Sequence, residues 1–270
     1  MKMWLKISAW ILLLIGVGVI FYLANKFDEN KILDSPNVAI HYEGENAMLT
    51  EKELLHRLRE KNLIFNDQRV KELDITIVEE AINNMPEVKN AHVFRDIGST
   101  WNIELELRKP IARIFNRFGQ SFYLDDDGFL MNRSDLHTAR TLVFTGNIKD
   151  KFQVGKINEI INNDSLKSIK KLDDIYRISN YVCNDPLLYH LISQVHIDEN
   201  GNFIMIPIVG EALIVFGKAD SERSVADKFD RLKVFYQHGM PFEGWNKYAE
   251  INLSYDGQIV CRKRYEQPTN

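Results

Sequence analysis

Residues 7–25, reading ISAWILLLIGVGVIFYLAN, form an apolar stretch without a single charged side chain. At ~1.5 Å per residue a helix of this length spans ~28 Å, close to the ~30 Å hydrocarbon thickness of a bilayer. Trp4 and Trp10 lie near one end and Phe21 and Tyr22 near the other, where amphipathic rings favour the interface. A cleaved signal peptide would have a shorter apolar run, about 7–15 residues, and a small-x-small site. Leu23-Ala24-Asn25 does not supply that site, so the pattern predicts a retained transmembrane helix. Residues 26–36 are polar and read as a juxtamembrane linker.

Beyond the linker the periodicity changes. A short β-like run covers Val38 to Tyr42. Thr50 and Glu53 form a capping box ahead of Leu54, Leu55 and Leu58, which share one helical face. The same spacing recurs at Thr76 and Glu79, with Ile77, Val78, Ala81 and Ile82 as the apolar stripe, and Pro86 stops that helix. Ala91 and Val93 then alternate with His92 and Phe94. Trp101, Ile103, Leu105 and Leu107 alternate with Asn102, Glu104, Glu106 and Arg108, the period-two pattern of a half-buried strand. The order strand-helix-helix-strand-strand predicts a small α+β unit, two helices on a three-stranded sheet.

From Pro110 strands dominate. They are expected at 111–118, 122–124, 129–131 and 142–144, then at 191–197, 203–208 and 212–216. Asp125-Asp126-Asp127-Gly128 supplies a tight turn. Residues 156–182 read mostly as helix, ended by Asn184-Asp185-Pro186. A last amphipathic helix from Ser221 to about Gln237 carries Val225, Phe229 and Leu232 at helical spacing. Strands at 248–255 and 258–264 then close a hairpin through Asp256-Gly257, a pair that type I′ turns prefer. The predicted fold class is therefore α+β. An N-terminal transmembrane helix precedes the small unit (37–109) and a mostly β domain with flanking helices (110–264). Short tails cover 1–6 and 265–270.

Charge changes this picture little. A net charge of −4 over 270 residues gives no nucleic-acid footprint. Lys2 and Lys6 precede the apolar stretch and Lys26 and Lys31 follow it, a slight bias. The short head is too small to be a domain, so the expectation is a cytoplasmic N-terminus and an exported body. Gly16 and Gly18 are two apart, which leaves out the small-residue dimer motif.

Candidate chemistry is sparse. The seven histidines are scattered, with no His-Glu-x-x-His, no Cys-x-x-Cys, no Gly-x-Ser-x-Gly and no phosphate-cradling glycine loop. The expectation is no catalytic, metal or cofactor site and no small-molecule substrate. Asp125 to Asp127 lack the alternating ligands of a calcium loop and read as a solvated turn. His190 and His196 read as ordinary strand histidines. Cys183 and Cys261 are too few for a disulfide framework; they read as small core residues, with pairing in an oxidising compartment left open. One feature suggests binding. The last strand, Ile259 to Arg264, has no later segment to cover it, and an edge strand can accept a strand from another chain. Its basic residues fit protection against aggregation as well as attraction of an acidic partner.

In this order of parts the chain resembles the FtsQ/DivIB family of bacterial cell-division proteins along its whole length. The resemblance rests on Glu106-Leu107-Arg108-Lys109-Pro110-Ile111-Ala112 and Tyr123-Leu124-Asp125-Asp126-Asp127-Gly128. It continues through Gly217, the helix with Lys228, Arg231 and Tyr236, and Ala249-Glu250-Ile251-Asn252-Leu253-Ser254-Tyr255. Residues 38–109 look like a POTRA domain. The family often has Asp where Glu250 stands and Arg where Ser254 and Lys228 stand, and lysine cannot reproduce a bidentate arginine pair.

The resemblance implies a non-enzymatic divisome scaffold in the inner membrane at the septum, with its body in the periplasm. Its implied partners are FtsB- and FtsL-type single-span proteins, and its role is to help control septal peptidoglycan synthesis. The partner is implied to join the terminal sheet edge. Carried over by position, the contacts are Tyr255, Gly257, Ile259, Val260, Cys261 and Arg262 on the hairpin, with Lys228 and Arg231 on the helix. Two other classes compete. A POTRA-containing envelope assembly or transport factor would need a C-terminal membrane barrel, for which too little chain remains. An anchored envelope hydrolase would need convergent catalytic residues.

Overall fold

The computed structural model describes residues 2–43, 47–96, 98–133, 138–157 and 171–264. They form two compact units, Met1–Leu107 and Arg108–Asn270. The first begins with helix α1, Lys2–Glu29. Its Trp10–Glu29 portion has a mean hydropathy of 1.9 and is nowhere buried, so it is long and apolar enough to cross a membrane. The helix runs past Asn25 to Glu29, so the first residues expected as linker are helical. The chain after it is held by backbone bonds from Leu33 N–H to Gln68 O (2.8 Å) and from Val70 N–H to Lys31 O (3.0 Å). The Trp101 indole N–H donates to Asp34 O at 2.9 Å.

Strand β1 (Asn37–His41), helices α2 (Glu51–Glu60) and α3 (Ile75–Asn83), and strands β2 (Val88–Arg95) and β3 (Trp101–Leu107) follow. The sheet order is β1-β3-β2. β1 runs parallel to β3 and β2 antiparallel to it. A parallel pair needs a long crossover, which α2 and α3 provide. Leu54, Leu58, Val78 and Ile82 pack on Trp101, Ile103, Leu105 and Leu107, the side of β3 that the alternation marked. Ile77 is outside this core, half exposed.

Both helix starts differ in detail from expectation. Thr50 Oγ1 accepts from Glu53 N–H at 3.3 Å, but the Glu53 carboxylate pairs with Arg57 Nε at 2.8 Å. The cap of α3 is Asp74, which accepts from Ile77 N–H at 3.1 Å and so starts the helix before Thr76. Glu79 is thereby released to accept from Val93 N–H at 2.8 Å, tying α3 to β2.

The second unit contains strands β4 (Pro110–Phe115), β5 (Ser121–Asp125), β6 (Phe129–Asn132), β7 (Leu142–Gly146) and β8 (Gly155–Lys156). Helices α4 (Leu172–Cys183) and α5 (Pro186–Leu191) precede β9 (Ile192–Ile197), β10 (Phe203–Pro207) and β11 (Leu213–Gly217). Helix α6 (Glu222–Val234) continues through a π-helical turn, Phe235–Gly239, and a short helical turn, Met240–Glu243. β12 (Tyr248–Asn252) and β13 (Val260–Lys263) end the fold. The ten strands form one sheet in the order β13-β12-β11-β10-β9-β7-β4-β5-β6-β8. Ile175, Ile178 and Val182 of α4 and Val225, Phe229 and Leu232 of α6 bury one sheet face together with Phe144, Val195, Phe203, Phe216 and Ile251.

Three expectations are corrected here. Lys156 lies in β8, and of the helix expected over 156–182 the described part is α4, while 158–170 fall outside the described residues. Pro186 ends one helix and opens another. Asp185 caps α5 by accepting from Leu187 N–H (3.0 Å) and Leu188 N–H (3.1 Å), with proline at the first turn, where its missing N–H costs nothing. The Asp125–Asp127 turn is not simply solvated, because Asp125 is fully buried. Its carboxylate accepts from Phe129 N–H (2.6 Å), Asp127 N–H (3.0 Å) and Arg108 Nη1 (2.9 Å). The Arg108 guanidinium in turn lies 3.7 Å from the Phe129 ring centroid. Burial pushes the Asp125 carboxyl above its ordinary range, against the pull of the Phe129 N–H and Arg108.

Removing one partner of a buried pair strands the other. Asp125→Ala is therefore expected to cost the second unit about 3–5 kcal/mol, and Asp125→Asn less, because the amide oxygen still serves the two backbone N–H groups. Urea unfolding followed by Trp and Tyr fluorescence measures both.

Candidate partner-binding edge

The edge is built from helix α6 outward. Ser221 caps α6 by accepting from Ser224 N–H at 3.2 Å. Phe229 anchors the helix between Tyr181 (5.0 Å between ring centroids) and Phe216 (4.8 Å). β12 then lies parallel to β11, pairing Ile214 with Ile251 and Val215 with Asn252.

The hairpin is wider than the Asp-Gly pair predicts, with β12 ending at Asn252 and β13 starting at Val260. The cause is Leu253. It is fully buried, and its N–H donates to Val215 O at 2.8 Å, so the chain keeps following β11 after its pairing with β13 has ended. Asn252 Oδ1 accepts from Ser254 N–H (2.9 Å) and from Ser254 Oγ (2.6 Å), which turns the backbone away. Gly257 sits at φ +67°, a left-handed conformation that glycine adopts without steric cost. The loop carbonyls converge on Arg231. Nη1 donates to Tyr255 O at 2.9 Å and to Gln258 O, and Nη2 to Leu253 O at 3.5 Å, while Nε meets Asp227 at 3.2 Å.

β13 runs antiparallel to β12, pairing Cys261 with Ile251 and Arg262 with Glu250. Beyond the pair, Arg264 N–H donates to Lys247 O at 3.0 Å. Strand N–H groups alternate in direction, so those of Arg262 and Val260 also face β12, whereas those of Cys261 and Lys263 face outward. Among the described residues no strand pairs that outer side. Ile259 and Cys261 pack against the core, and burial pushes the Cys261 thiol up. Val260, Arg262 and Tyr255 are exposed. Arg262 Nη2 lies 3.1 Å from Glu250 Oε2 across the pair.

Seven of the eight expected contact residues therefore gather on or beside this hairpin. Lys228 is turned inward instead. It is 6% exposed, its Nζ donates to Lys218 O at 2.6 Å and lies 5.0 Å from the Phe216 ring centroid. Burial pushes its ammonium pKa down. Its long apolar stem fills the interior while the head meets a backbone carbonyl, a role that helical spacing alone does not reveal.

Elsewhere, the oxygens of Asp125, Asp126 and Asp127 lie within 4.8 Å of one another, but Asp125 is committed to Arg108 and two backbone N–H groups. His196 Nδ1 is 3.3 Å from Thr145 Oγ1. His190 packs edge-on against Tyr189 at the end of α5, so it is a helix residue and not the strand residue expected. Cys183 and Cys261 both remain thiols.

Among the described residues, the second unit is a helix-backed sheet whose last strand has no outer neighbour, and the chain carries an apolar N-terminal helix long enough to cross a membrane. The family described as "FtsQ/DivIB, C-terminal related" matches residues 109–262, more than half of the sequence. The chain belongs to this FtsQ/DivIB-related family, a family of non-enzymatic division scaffolds. Comparison with curated proteins gives no match. Family and helix together point to a single-pass membrane protein with a role in cell division.

Gly217 supports the hairpin base. It lies at φ +77°, and an added Cβ would come within 2.9 Å of Ser254 Cβ. Gly217→Ala is expected to cost about 1–2 kcal/mol from the backbone alone, with a further steric part. Ser254→Gly should relieve the steric part and not the backbone part, which a double-mutant cycle of urea midpoints reads directly.

Proposed function

We propose that the protein is a non-enzymatic divisome scaffold that binds FtsB- and FtsL-type single-span partners by strand addition to the outer edge of β13. Through them it helps control septal peptidoglycan synthesis. In this reading the N-terminus is cytoplasmic, α1 crosses the inner membrane and the chain beyond it lies in the periplasm. Residues 37–109 act as a POTRA-like domain that contributes to septal placement.

The observation that carries the proposal is the outer edge itself. β13 ends the ten-stranded sheet among the described residues, lies within the family-matched residues up to Arg262, and directs the Cys261 and Lys263 N–H groups away from β12. Charge supports recognition less than the bare sequence suggests, because Arg262 is paired with Glu250 and Arg264 with Glu211. Backbone pairing is then the main source of affinity, and the alternating side chains the source of register.

Proline substitution separates the two sides of the strand. At Lys263 it removes an outward N–H and leaves the bonds to β12 in place, which edge strands tolerate. At Val260 it removes a donor to β12 and breaks the hairpin from within. Lys263→Pro is expected to weaken capture of an FtsB-type partner about tenfold, roughly one hydrogen bond's worth plus the ring's obstruction, without moving the urea midpoint. Val260→Pro should lower both. Unchanged partner capture by a folded Lys263→Pro protein would refute strand addition at this edge.

A further inference from the structure

We infer that Arg231 is a positioning residue which holds the docking edge in register, and not a residue that touches the partner. The inference rests on reading β13 as the docking edge. Among the described residues β13 has one strand neighbour, β12, and is joined to it by residues 253–259, whose backbone leaves the sheet once Leu253 has bonded to β11. Three carbonyls of that connection, from Leu253, Tyr255 and Gln258, point at one guanidinium. That guanidinium rides on α6, which Val225, Phe229 and Leu232 fix in the core.

A guanidinium has five N–H donors in a planar fork. The three carbonyls and the Asp227 carboxylate together engage Nη1, Nη2 and Nε, and the Arg231 side chain is only 16% exposed. Little remains for a carboxylate from another chain. The arrangement instead converts a wide, glycine-containing connection into a rigid support for a four-residue strand. A lysine offers a point charge and cannot span the same three carbonyls with fixed geometry.

A positioning residue leaves a kinetic signature. Without the clamp, β13 is formed in only a fraction of molecules, and apparent affinity falls by that fraction through slower association. Once bound, the complex has the same contacts, so dissociation is unchanged. Loss of a direct contact acts mainly on dissociation.

The test uses the full-length chain in detergent micelles and the periplasmic part of an FtsB-type protein as the probe. Amide exchange is followed at Val260 and Arg262, whose N–H groups face β12, with β9 and β10 as internal references. Arg231→Ala is expected to bring exchange at Val260 and Arg262 close to the rate of an unstructured amide and to leave β9 and β10 unchanged. Association with the probe should slow in proportion to the fraction of molecules in which β13 stays formed, at a constant dissociation rate. Arg231→Lys should lie between wild type and Arg231→Ala, and it carries the same comparison if the alanine variant fails to fold.

Exchange at Val260 and Arg262 that stays well below the unstructured rate, or faster dissociation at unchanged association, would overturn the inference. Exchange near the unstructured rate with unaltered probe binding would uphold the clamp and refute docking at β13, so the two readings fail separately.

Discussion

The parallel pairing of β11 with β12 is the constraint on which the C-terminal half of the second unit depends. Parallel strands cannot be joined by a hairpin. The chain must leave the end of β11, cross one face of the sheet and return to start β12 in the same direction. Helix α6 with its π-helical turn is that crossing. The crossing buries Phe229 against Phe216 and Tyr181, and it carries Arg231 to the place where the β12–β13 connection leaves the sheet. Had β12 been antiparallel to β11, no helix would be required there and nothing would hold the last strand in place. The free edge and its support are two consequences of one topological choice.

Features set by local pattern are legible in the amino-acid sequence alone. The alternation from Trp101 to Leu107 marks the buried side of β3 because a strand has period two and this one faces helices on one side only. The apolar run from Ile7 needs no partner to be recognised, since length and lack of charge are its whole signal. The capping role of Thr50 is legible for the same reason. At α3 two caps compete: Asp74 accepts from the Ile77 N–H, while Glu79, one half of the expected box, accepts from the Val93 N–H of β2. A local motif loses when a distant backbone group claims one of its members.

The candidate edge shows the same division. That a basic strand follows the last turn is evident from residues 258–264. That its hairpin is wide follows from Leu253 bonding to Val215, an event many residues away that the Asp256-Gly257 pair cannot report. Lys228 and Arg231 lie three apart on one helix and look alike as exposed cations. Burial separates them. Lys228 points beneath Gly217 toward the Lys218 carbonyl, and Arg231 reaches the loop. Only the packing of α6 on the sheet distinguishes a cation that is spent inside from one that organises the surface.

Charge at this edge is arranged to restrain pairing as well as to permit it. A bare strand of alternating apolar residues would pair with copies of itself. Arg262 stands out from β13, and two antiparallel copies would bring such cations close together, a destabilising arrangement. Glu250 partly neutralises it from the neighbouring strand, so the repulsion between copies is moderated. If β13 docks a partner strand as proposed, discrimination comes from residual repulsion between copies and from the fit of alternate side chains, while the outward N–H groups of Cys261 and Lys263 offer an attraction common to any strand. Such an edge gains little by holding more charge and much by being held still, and its support comes from a helix anchored in the core by Val225, Phe229 and Leu232 and not from the loop that carries it.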